Sequence, residues 1–200
     1  MITVKKLVVG PLRTNCYILI HEDEAIIVDP GGNHDKILDA IKNLKIRAIV
    51  ATHGHFDHVL GVPYLKRKLG APFMLHKSDL ETLELFGSYM LNETPKPDSF
   101  LEEGDTIYLG SKRIEIIHTP GHTPGSICMY IYEDQILLTG DTLFRGAYGR
   151  TDLPGGDPQK IFGSLRKIFT MFSDNFRVLP GHGEETTIGS EKRYYKYLLT

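Results

Sequence analysis

Short apolar runs rich in β-branched residues recur along the whole chain, bounded by glycine, proline, asparagine and aspartate. Runs of this length and composition are typical of buried β-strands. We predict strands at Ile2–Val9, Cys16–Ile20, Ala25–Val28, Ile46–Ala51, Pro72–Leu75, Thr106–Leu109, Arg113–Ile117, Ile127–Tyr132, Ile136–Thr139 and Arg177–Leu179. Several of these strands end beside a histidine or an aspartate, so the strand ends are where the chemistry is expected.

Apolar residues at helical spacing predict five helices between these strands. The five are residues 35–44, 59–69, 78–90, 157–172 and 190–198. Pro63 falls in the first turn of its helix, where a proline is tolerated. Ser78 and Glu81 have the spacing of a capping box at the start of the third helix. Asp157 is the expected N-cap of the fourth helix, with Pro158 at its first position.

Three histidines and an aspartate stand within six residues directly after the predicted strand Ile46–Ala51. They are His53, His55, Asp57 and His58. Imidazole and carboxylate groups are ligands for first-row divalent metals. If the segment is extended, the first three side chains project to one side and His58 to the other, so one segment supplies two neighbouring metal positions. The alternative is a polar loop with scattered histidines, but this spacing after a strand favours the metal site.

Three further candidates each follow a predicted strand and adjoin a glycine, which lets the backbone pass close to a metal. These are His122, Asp141 and His182. Singly, each is as readily a core or turn residue; together with the histidine cluster, they are predicted ligands. Asp29, at a strand end before two glycines, is either a turn residue or a carboxylate that orients a ligand, and both interpretations stay open.

Seven candidate ligands are too many for one four- or five-coordinate ion and suit two. Two ions about 3.5–4 Å apart can share one carboxylate and one hydroxide, which gives a nucleophile at neutral pH beside a Lewis acid. Nitrogen and oxygen ligands suit zinc, iron and manganese alike; zinc is our first choice. The sequence therefore predicts two divalent ions and hydrolytic chemistry.

Composition and charge narrow the function further. A formal net charge of −2 gives no broad attraction to nucleic acid or anionic lipid, so we expect neither as a partner. Cys16 and Cys128 lie in separate predicted strands and are expected to be buried reduced thiols. The first residues lack the apolar core of a signal peptide, and no stretch has the length of a membrane span. We expect a cytoplasmic protein; its oligomeric state stays open.

The histidine and aspartate pattern resembles the metallo-β-lactamase superfamily over nearly the whole chain. Five further segments resemble its glyoxalase II branch, the hydroxyacylglutathione hydrolases: Thr14–Tyr17, Asp29–Gly31, His118–Ser126, Gly140–Phe144 and Gly149–Asp152. The resemblance implies an α/β fold of the αββα sandwich type, with two mixed β-sheets flanked by helices and metals at one edge.

The resemblance also implies a role for each ligand. It assigns His53, His55 and His122 to a first metal, Asp57, His58 and His182 to a second, and Asp141 to a bridge between them. In that family a hydroxide bridging the two metals attacks the carbonyl of a small thioester, S-lactoylglutathione, and the thiolate leaves. Asp57 and Asp141 are the predicted catalytic residues.

The chain departs from the family in the features that bind glutathione. We expect one domain over residues 1–200, without the separate C-terminal helical domain of enzymes that have a well-defined glutathione site. A lysine and a tyrosine hold glutathione in those enzymes; Arg150 matches the lysine in charge, and Asp152 stands in place of the tyrosine. Arg145, Tyr148 and Arg150 are the predicted substrate contacts, and salt-bridged loop arginines are the alternative.

Other activities on the same fold stay open as alternatives. One is a persulfide dioxygenase, a relative that shares the Gly149–Asp152 signature and uses a single iron at positions matching His53, His122 and Asp141. Another is a different ester or lactone hydrolase. A zinc β-lactamase is disfavoured, because its most familiar members use a cysteine at the second metal and this chain offers none there.

Overall fold

The predicted apolar runs pair into two six-stranded sheets in the computed structural model, which describes residues 1–198. The first sheet contains, in spatial order, β1 Thr3–Val9, β2 Thr14–His21, β3 Glu24–Val28, β4 Lys45–Val50, β5 Phe73–Leu75 and β6 Ser99–Phe100. Strand β2 is antiparallel to both of its neighbours, β1 and β3, and β3 to β6 run parallel. The sheet is therefore mixed, as expected.

The second half of the chain builds the other sheet and a small hairpin. Its strands are β7 Thr106–Leu109, β8 Lys112–His118, β9 Ile127–Ile131, β10 Ile136–Gly140, β11 Leu143–Phe144, β12 Ala147–Tyr148, β13 Arg177–Pro180 and β14 Thr186–Thr187. The sheet order is β14-β13-β10-β9-β8-β7, with only the β10–β13 pair parallel, and β11 and β12 form the separate hairpin.

Within residues 1–198 there are six α-helices and two 3-10 turns; all lie between strands except the last helix and the last 3-10 turn, which follow β14. The helices are α1 His34–Ala40, α2 Phe56–Val59, α3 Val62–Leu69, α4 Leu80–Met90, α5 Pro158–Met171 and α6 Ile188–Tyr194. The 3-10 turns are Lys77–Asp79 and Lys196–Leu198. Across residues 1–198 we find no helix with both the length and the apolar character needed to cross a bilayer.

Alternating side chains divide the interior into layers. Along β2, Tyr17 and Leu19 point into the core between the two sheets, whereas Cys16 and Ile18 point to the opposite face. That outer face packs under α1, α3 and α4, and the outer face of the second sheet packs under α5 and α6. The predicted α/β sandwich of two mixed sheets between helices is confirmed. Cys16 and Cys128 are buried and unpaired, as predicted.

Several predicted helix boundaries are wrong. The first helix ends at Ala40, because Ile41 and the residues after it form turns. The last helix begins two residues earlier than predicted and ends at Tyr194, followed by the second 3-10 turn. Pro63 in the first turn of α3 is confirmed, and so is the Asp157 cap, whose carboxylate accepts two backbone N–H bonds at the start of α5.

The predicted capping box at Ser78 is wrong. Ser78 lies inside the 3-10 turn Lys77–Asp79, where its own backbone N–H donates to Nδ1 of His76, 3.1 Å away. Helix α4 then begins at Leu80 without a side-chain cap. His76 therefore caps the 3-10 turn and not α4, and the Asp79 side chain does not bond to the backbone of its own helix.

Candidate metal centre

All seven predicted ligand side chains come together at one edge of the sandwich, on the loops that follow β4, β8, β10 and β13. Their ligand atoms form three overlapping groups, each with all its atoms within 4.8 Å of one another. One contains His53, His55 and His122, and we call it the first group; another contains Asp57, His58 and His182, and we call it the second group. The remaining group, His53 with His58 and Asp141, overlaps both. The first sheet supplies four of the seven side chains and the second sheet supplies three.

In the first group, three imidazole nitrogens converge. Nδ1 of His55 lies 3.1 Å from Nε2 of His53 and 3.0 Å from Nε2 of His122. Burial lowers the pKa of His53 well below its usual value and, with the neighbouring His122, lowers the pKa of His55 to about 3. These two rings are therefore neutral at pH 7, with lone pairs available for a cation.

In the second group, a carboxylate lies between two imidazoles. Oδ2 of Asp57 is 3.2 Å from Nε2 of His182 and 3.5 Å from Nε2 of His58. Burial alone would lower the pKa of His58, but the carboxylates of Asp29, Asp57 and Asp141 outweigh it and raise that pKa well above its usual value. So much negative charge around one buried ring is an environment suited to a cation.

The Asp141 carboxylate lies between the two groups. Its Oδ2 is 3.5 Å from Nε2 of His122 in the first group and 3.5 Å from Nε2 of His182 in the second. Burial would raise the Asp141 pKa, yet the surrounding histidines, His58 foremost, lower it, so the group is ionised at neutral pH. This is the position a bridging ligand requires.

The polar atoms of the centre fit bound cations. Within the described residues, four buried polar side-chain atoms lack a hydrogen-bond partner: Nε2 of His55, both ring nitrogens of His58 and Oδ1 of Asp141. Buried polar groups are normally satisfied, and such a cluster at one place indicates a missing partner. Nδ1 of His58 does lie 3.0 Å from Oδ2 of Asp29, close enough to be oriented by it. Nitrogen and carboxylate ligands in two adjoining sets fit two divalent ions.

The extended arrangement predicted for the histidine cluster is wrong beyond His55. His55 has extended backbone and is the N-cap of α2, whose single turn contains Asp57 and His58. The helical turn directs Asp57 away from the first group, so Asp57 and His58 both belong to the second. One segment still supplies both groups, but through a change from extended to helical backbone and not through alternation.

Asp29 has both of the roles that the sequence left open. Its backbone carbonyl accepts a turn hydrogen bond from Gly31 N–H at 2.8 Å, and its φ of +54° is in the left-handed region. Its side chain accepts bonds from the Thr52 N–H at 2.7 Å and the Thr52 hydroxyl at 2.8 Å, and faces His58. Asp29 thus fixes the strand end at Thr52 and orients a predicted ligand.

The segment Thr14–Tyr17 has a structural role that the sequence did not show. The Thr14 hydroxyl donates to Oδ2 of Asp57 at 2.9 Å. The Asn15 amide donates to the carbonyls of Pro180 and Gly183 at 2.9 and 3.0 Å, and the Tyr17 hydroxyl donates to the same Pro180 carbonyl at 2.8 Å. Strand β2 therefore holds the second-sheet loop that carries His182.

Asp79 is a buried residue of the centre that sequence reasoning missed. Its carboxylate accepts hydrogen bonds from Gly54 N–H at 2.5 Å, Gly125 N–H at 2.6 Å and the Thr123 hydroxyl at 2.9 Å. These donors belong to the loop of His53 and His55 and to the loop of His122. Asp79 therefore joins the two loops that build the first group, and no local pattern in the sequence distinguishes it from a helix-start aspartate.

The predicted substrate residues lie on or beside the β11–β12 hairpin. Arg145 and Arg150 are exposed and form ion pairs with Glu184 and Asp152, as in the salt-bridge alternative. The Arg150 carbonyl lies 2.8 Å from Nδ1 of His122, so its loop borders the first group. Tyr148 packs edge-on against Phe162, with its ring about one-third exposed. Their predicted role in substrate binding stays a prediction.

Two aromatic rings at the centre were not predicted from the sequence. Phe86 of α4 lies edge-on to His55 with ring centroids 4.6 Å apart, and Phe144 of β11 faces His182 at 6.1 Å. Phe86 lies in no segment singled out in the sequence, and Phe144 ends the segment Gly140–Phe144 but was given no role there. One ring adjoins the first ligand group and the other adjoins the second.

An αββα sandwich with histidine and aspartate side chains gathered at one edge defines a class of metal-dependent hydrolases. Residues 9–182 match the model of the metallo-beta-lactamase superfamily, and the chain belongs to that superfamily.

Two relatives show how the superfamily relationship extends over the full length. The chain is 37% identical to the "Probable metallo-hydrolase YqgX" of Bacillus subtilis, over 97% of this chain and 96% of the relative. It is 36% identical to the "Hydroxyacylglutathione hydrolase GloC" of Haemophilus influenzae, over 95% of each. Both names are those of hydrolases.

Solved structures agree in fold and differ in the activity or metal that they report. The BLEG-1 B3 metallo-beta-lactamase superposes with a TM-score of 0.90 at 35% identity, over 99% of this chain and 100% of that one. TTHA1623 in a di-iron-bound form gives 0.87 at 36% identity, over 96% and 99%. ETHE1 from Myxococcus xanthus gives 0.81 at 25% identity, over 96% and 82%.

Proposed function

We propose that this protein is a dinuclear metal-dependent hydrolase of small thioesters of the hydroxyacylglutathione type. The observation that carries the proposal is the Asp141 carboxylate placed between two otherwise complete ligand groups. Two such groups sharing one carboxylate are what a two-metal hydrolytic site needs. The similarity to a hydroxyacylglutathione hydrolase over 95% of the chain supports the thioester as substrate.

Each of the two ligand groups would hold one ion. His53, His55 and His122 would hold one ion, and Asp57, His58 and His182 the other, with Asp141 common to both. Divalent ions bound there supply Lewis-acid polarisation of a carbonyl and a water that ionises near neutral pH. Zinc is our first choice; iron and manganese suit the same ligands, and one similar structure holds two irons.

The chain's own residues prepare the site for this chemistry. The neutral His53 and His55 keep lone pairs directed at the centre, and Thr14 holds the ionised Asp57 in place. We assign Arg145, Tyr148 and Arg150 to the thiol-bearing part of the substrate, where a guanidinium suits a carboxylate. This requires the substrate to replace Glu184 or Asp152 as the partner of the arginines, which is inexpensive because both pairs are exposed.

We also place the protein in the cytoplasm and treat residues 1–200 as one domain. The two buried, unpaired cysteines support a reducing compartment.

The test is thiol release from S-lactoylglutathione by purified, metal-analysed protein, with a chelator-treated control. We expect rapid, metal-dependent release. Asp57→Ala and His182→Ala should each lose the second ion together with most of the activity. The control His34→Ala, at a half-buried histidine that is tilted against Tyr64 and belongs to no ligand group, should lose neither. Full hydrolytic rates in the two ligand variants would refute the two-metal mechanism.

A second candidate, β-lactam hydrolysis, is favoured by the similarity to a B3 metallo-beta-lactamase. The same preparation is therefore assayed with a cephalosporin. Turnover of the β-lactam with no thiol release would replace the thioester with a cyclic amide as substrate, while leaving the two-metal assignment in place.

The single-iron dioxygenase makes different predictions for the same sample. It requires one iron per chain, oxygen consumption with glutathione persulfide, and tolerance of His182→Ala. The intact, partly buried Asp57, His58 and His182 group favours two ions over one.

A further inference from the structure

One face of helix α4 begins at the metal centre and continues beyond it. At the buried end of this face, the backbone of Leu83 packs against Gly54, the residue between His53 and His55 in the chain. A Cβ at Gly54 would be only 2.9 Å from the Leu83 backbone nitrogen. One turn further along, Phe86 meets the His55 ring. The helix is thus fixed to the loop that supplies two ligands.

The same face of α4 stays apolar for another turn, where it is exposed to solvent. Residues three and four positions after Phe86 lie above it on a helix, and these are Tyr89 and Met90. Their exposed fractions are 80% and 52%, against 1% for Leu83. Leu83, Phe86, Tyr89 and Met90 therefore form a strip, which we call the α4 strip, that runs from the ligands into solvent.

The second ligand group borders a different surface. There, Phe144 faces His182, and Arg145, the next residue in the chain, is exposed on the β11–β12 hairpin. A substrate whose reacting carbonyl is at the metals would thus have the apolar α4 strip beside the first group, and an aromatic ring with a guanidinium group beside the second. A substrate with one apolar and one anionic end matches this division.

We propose that the α4 strip binds the acyl chain of the substrate, and that the enzyme prefers linear, apolar acyl groups longer than lactoyl. This inference rests on the proposed thioester function and names the acyl class that function acts on. The occupant is argued from continuity: the strip is an extension of the surface that already contacts a predicted ligand. A contiguous exposed apolar patch that continues from a half-buried ring at the site is typical of a ligand-binding surface.

The test is a series of straight-chain acyl thioesters of one thiol, from acetyl to octanoyl, with S-lactoyl included. Full burial of one methylene raises affinity roughly fourfold. A methylene that contacts the strip on one side only gains about half of that free energy, so we expect kcat/KM to rise about twofold per methylene. A rise that stops near octanoyl is expected, since one helical turn adds only about 5.4 Å of strip.

The double variant Tyr89→Ser/Met90→Ser should remove the outer half of the strip. We expect the ratio of kcat/KM for octanoyl to that for acetyl to fall at least fivefold. Tyr108→Ser is the matched control, because Tyr108 is 62% exposed on β7, in the other sheet, and the ratio should not change. A flat chain-length dependence in the wild type, or an unchanged ratio in the double variant, would overturn the inference.

Binding of straight-chain alkanoates to the metal-loaded protein, measured by calorimetry, separates this inference from the proposed function. If no thioester is hydrolysed but alkanoate affinity rises with chain length and the double variant flattens the rise, the strip is supported and the thioester is wrong. If affinity does not depend on chain length, the strip assignment fails whatever the thioester result. A wild-type dimer that the double variant converts to monomers would instead assign the strip to a second copy of the chain.

Discussion

Asp79 connects the two loops of the first ligand group through three hydrogen bonds, and its side chain is fully buried. Asp79→Asn keeps the shape but replaces one acceptor oxygen with an NH2 that faces a donor. We expect the free energy of unfolding to fall by about 1–3 kcal/mol and the affinity of the first ion to fall about 10–100-fold. Urea unfolding and competition with a metal chelator measure these.

The control for this variant is Asp39→Asn. Asp39 pairs with Lys42 on the surface and is about three-quarters exposed, so its loss should change the unfolding free energy by less than about 0.5 kcal/mol. If Asp79→Asn were no more disruptive than Asp39→Asn, the two loops would be held by something other than Asp79.

The same carboxylate should make stability depend on pH. Burial raises the Asp79 pKa above 3.8, although its three hydrogen-bond donors lower it in part. The folded protein then keeps the proton to a higher pH than the unfolded chain, so this group's contribution to stability falls as pH rises from about 3.8 through the folded-state pKa. Metal-free wild type should therefore lose stability relative to Asp79→Asn over this range.

Paired urea titrations of the two proteins in chelator, at intervals between pH 3.5 and 7, measure that difference. The titration of the metal-ligating groups is common to both proteins and cancels to first order. A wild-type advantage that grows with pH would mean that the donors, and not burial, control the Asp79 pKa.

Residue types and spacing predicted the seven ligand candidates, because a metal site needs particular side chains and these are rare in a chain with nine histidines. Asp79 could not be found in this way. Its partners are 25, 44 and 46 residues away in the chain, and two of its three bonds go to backbone groups that any residue carries. Contacts of this kind become visible only when the fold has brought the loops together.

At the level of elements, strand β2 fixes the loop that carries His182. Asn15 and Tyr17 both donate to the Pro180 carbonyl, so that carbonyl keeps one hydrogen bond when either side chain alone is removed. Asn15→Ala should lower the unfolding free energy by about 1–3 kcal/mol and Tyr17→Phe by about 1 kcal/mol. The double variant leaves the carbonyl bare and should cost about 0.5–3 kcal/mol more than the sum.

Urea unfolding of the four proteins measures the coupling, and metal analysis follows the second ion. Occupancy of the second site should fall with Asn15→Ala, because the Asn15 amide also holds Gly183, next to His182. Tyr132→Phe, on a largely exposed tyrosine, is the control. Strict additivity would show that the two side chains do not act through the shared carbonyl.

Long elements were predictable and short ones were not. The ten predicted strands and five predicted helices all have counterparts, since each carries enough apolar residues to establish a period. The two-residue strands β6, β11, β12 and β14 and the one-turn helix α2 have no such period. Their pairing comes from the tertiary fold. The wrong prediction at α2 also gave Asp57 the wrong orientation. An extended strand would direct Asp57 to the same side as His53 and His55, whereas the helical turn directs it away from them.

At the scale of the whole molecule, the two sheets meet at the ligand set. The first sheet supplies His53, His55, Asp57 and His58, and the second supplies His122, Asp141 and His182. Both ligand groups and the Asp141 position combine residues from the two sheets or their edge loops. Bound ions would therefore link the halves of the sandwich, and the metal-free protein would retain buried charge without compensation.

Removing the metals should thus destabilise the entire fold. An ion present at a thousand times its dissociation constant contributes about 4 kcal/mol, which for a chain of this size is a shift of about 10 °C in unfolding temperature. We expect chelator-treated protein to unfold that much lower per ion lost, and reloading to restore it. His182→Ala should show a smaller shift than wild type, and His34→Ala the same shift. If metal analysis confirmed complete removal and the unfolding temperature did not move, the ions would not link the two sheets.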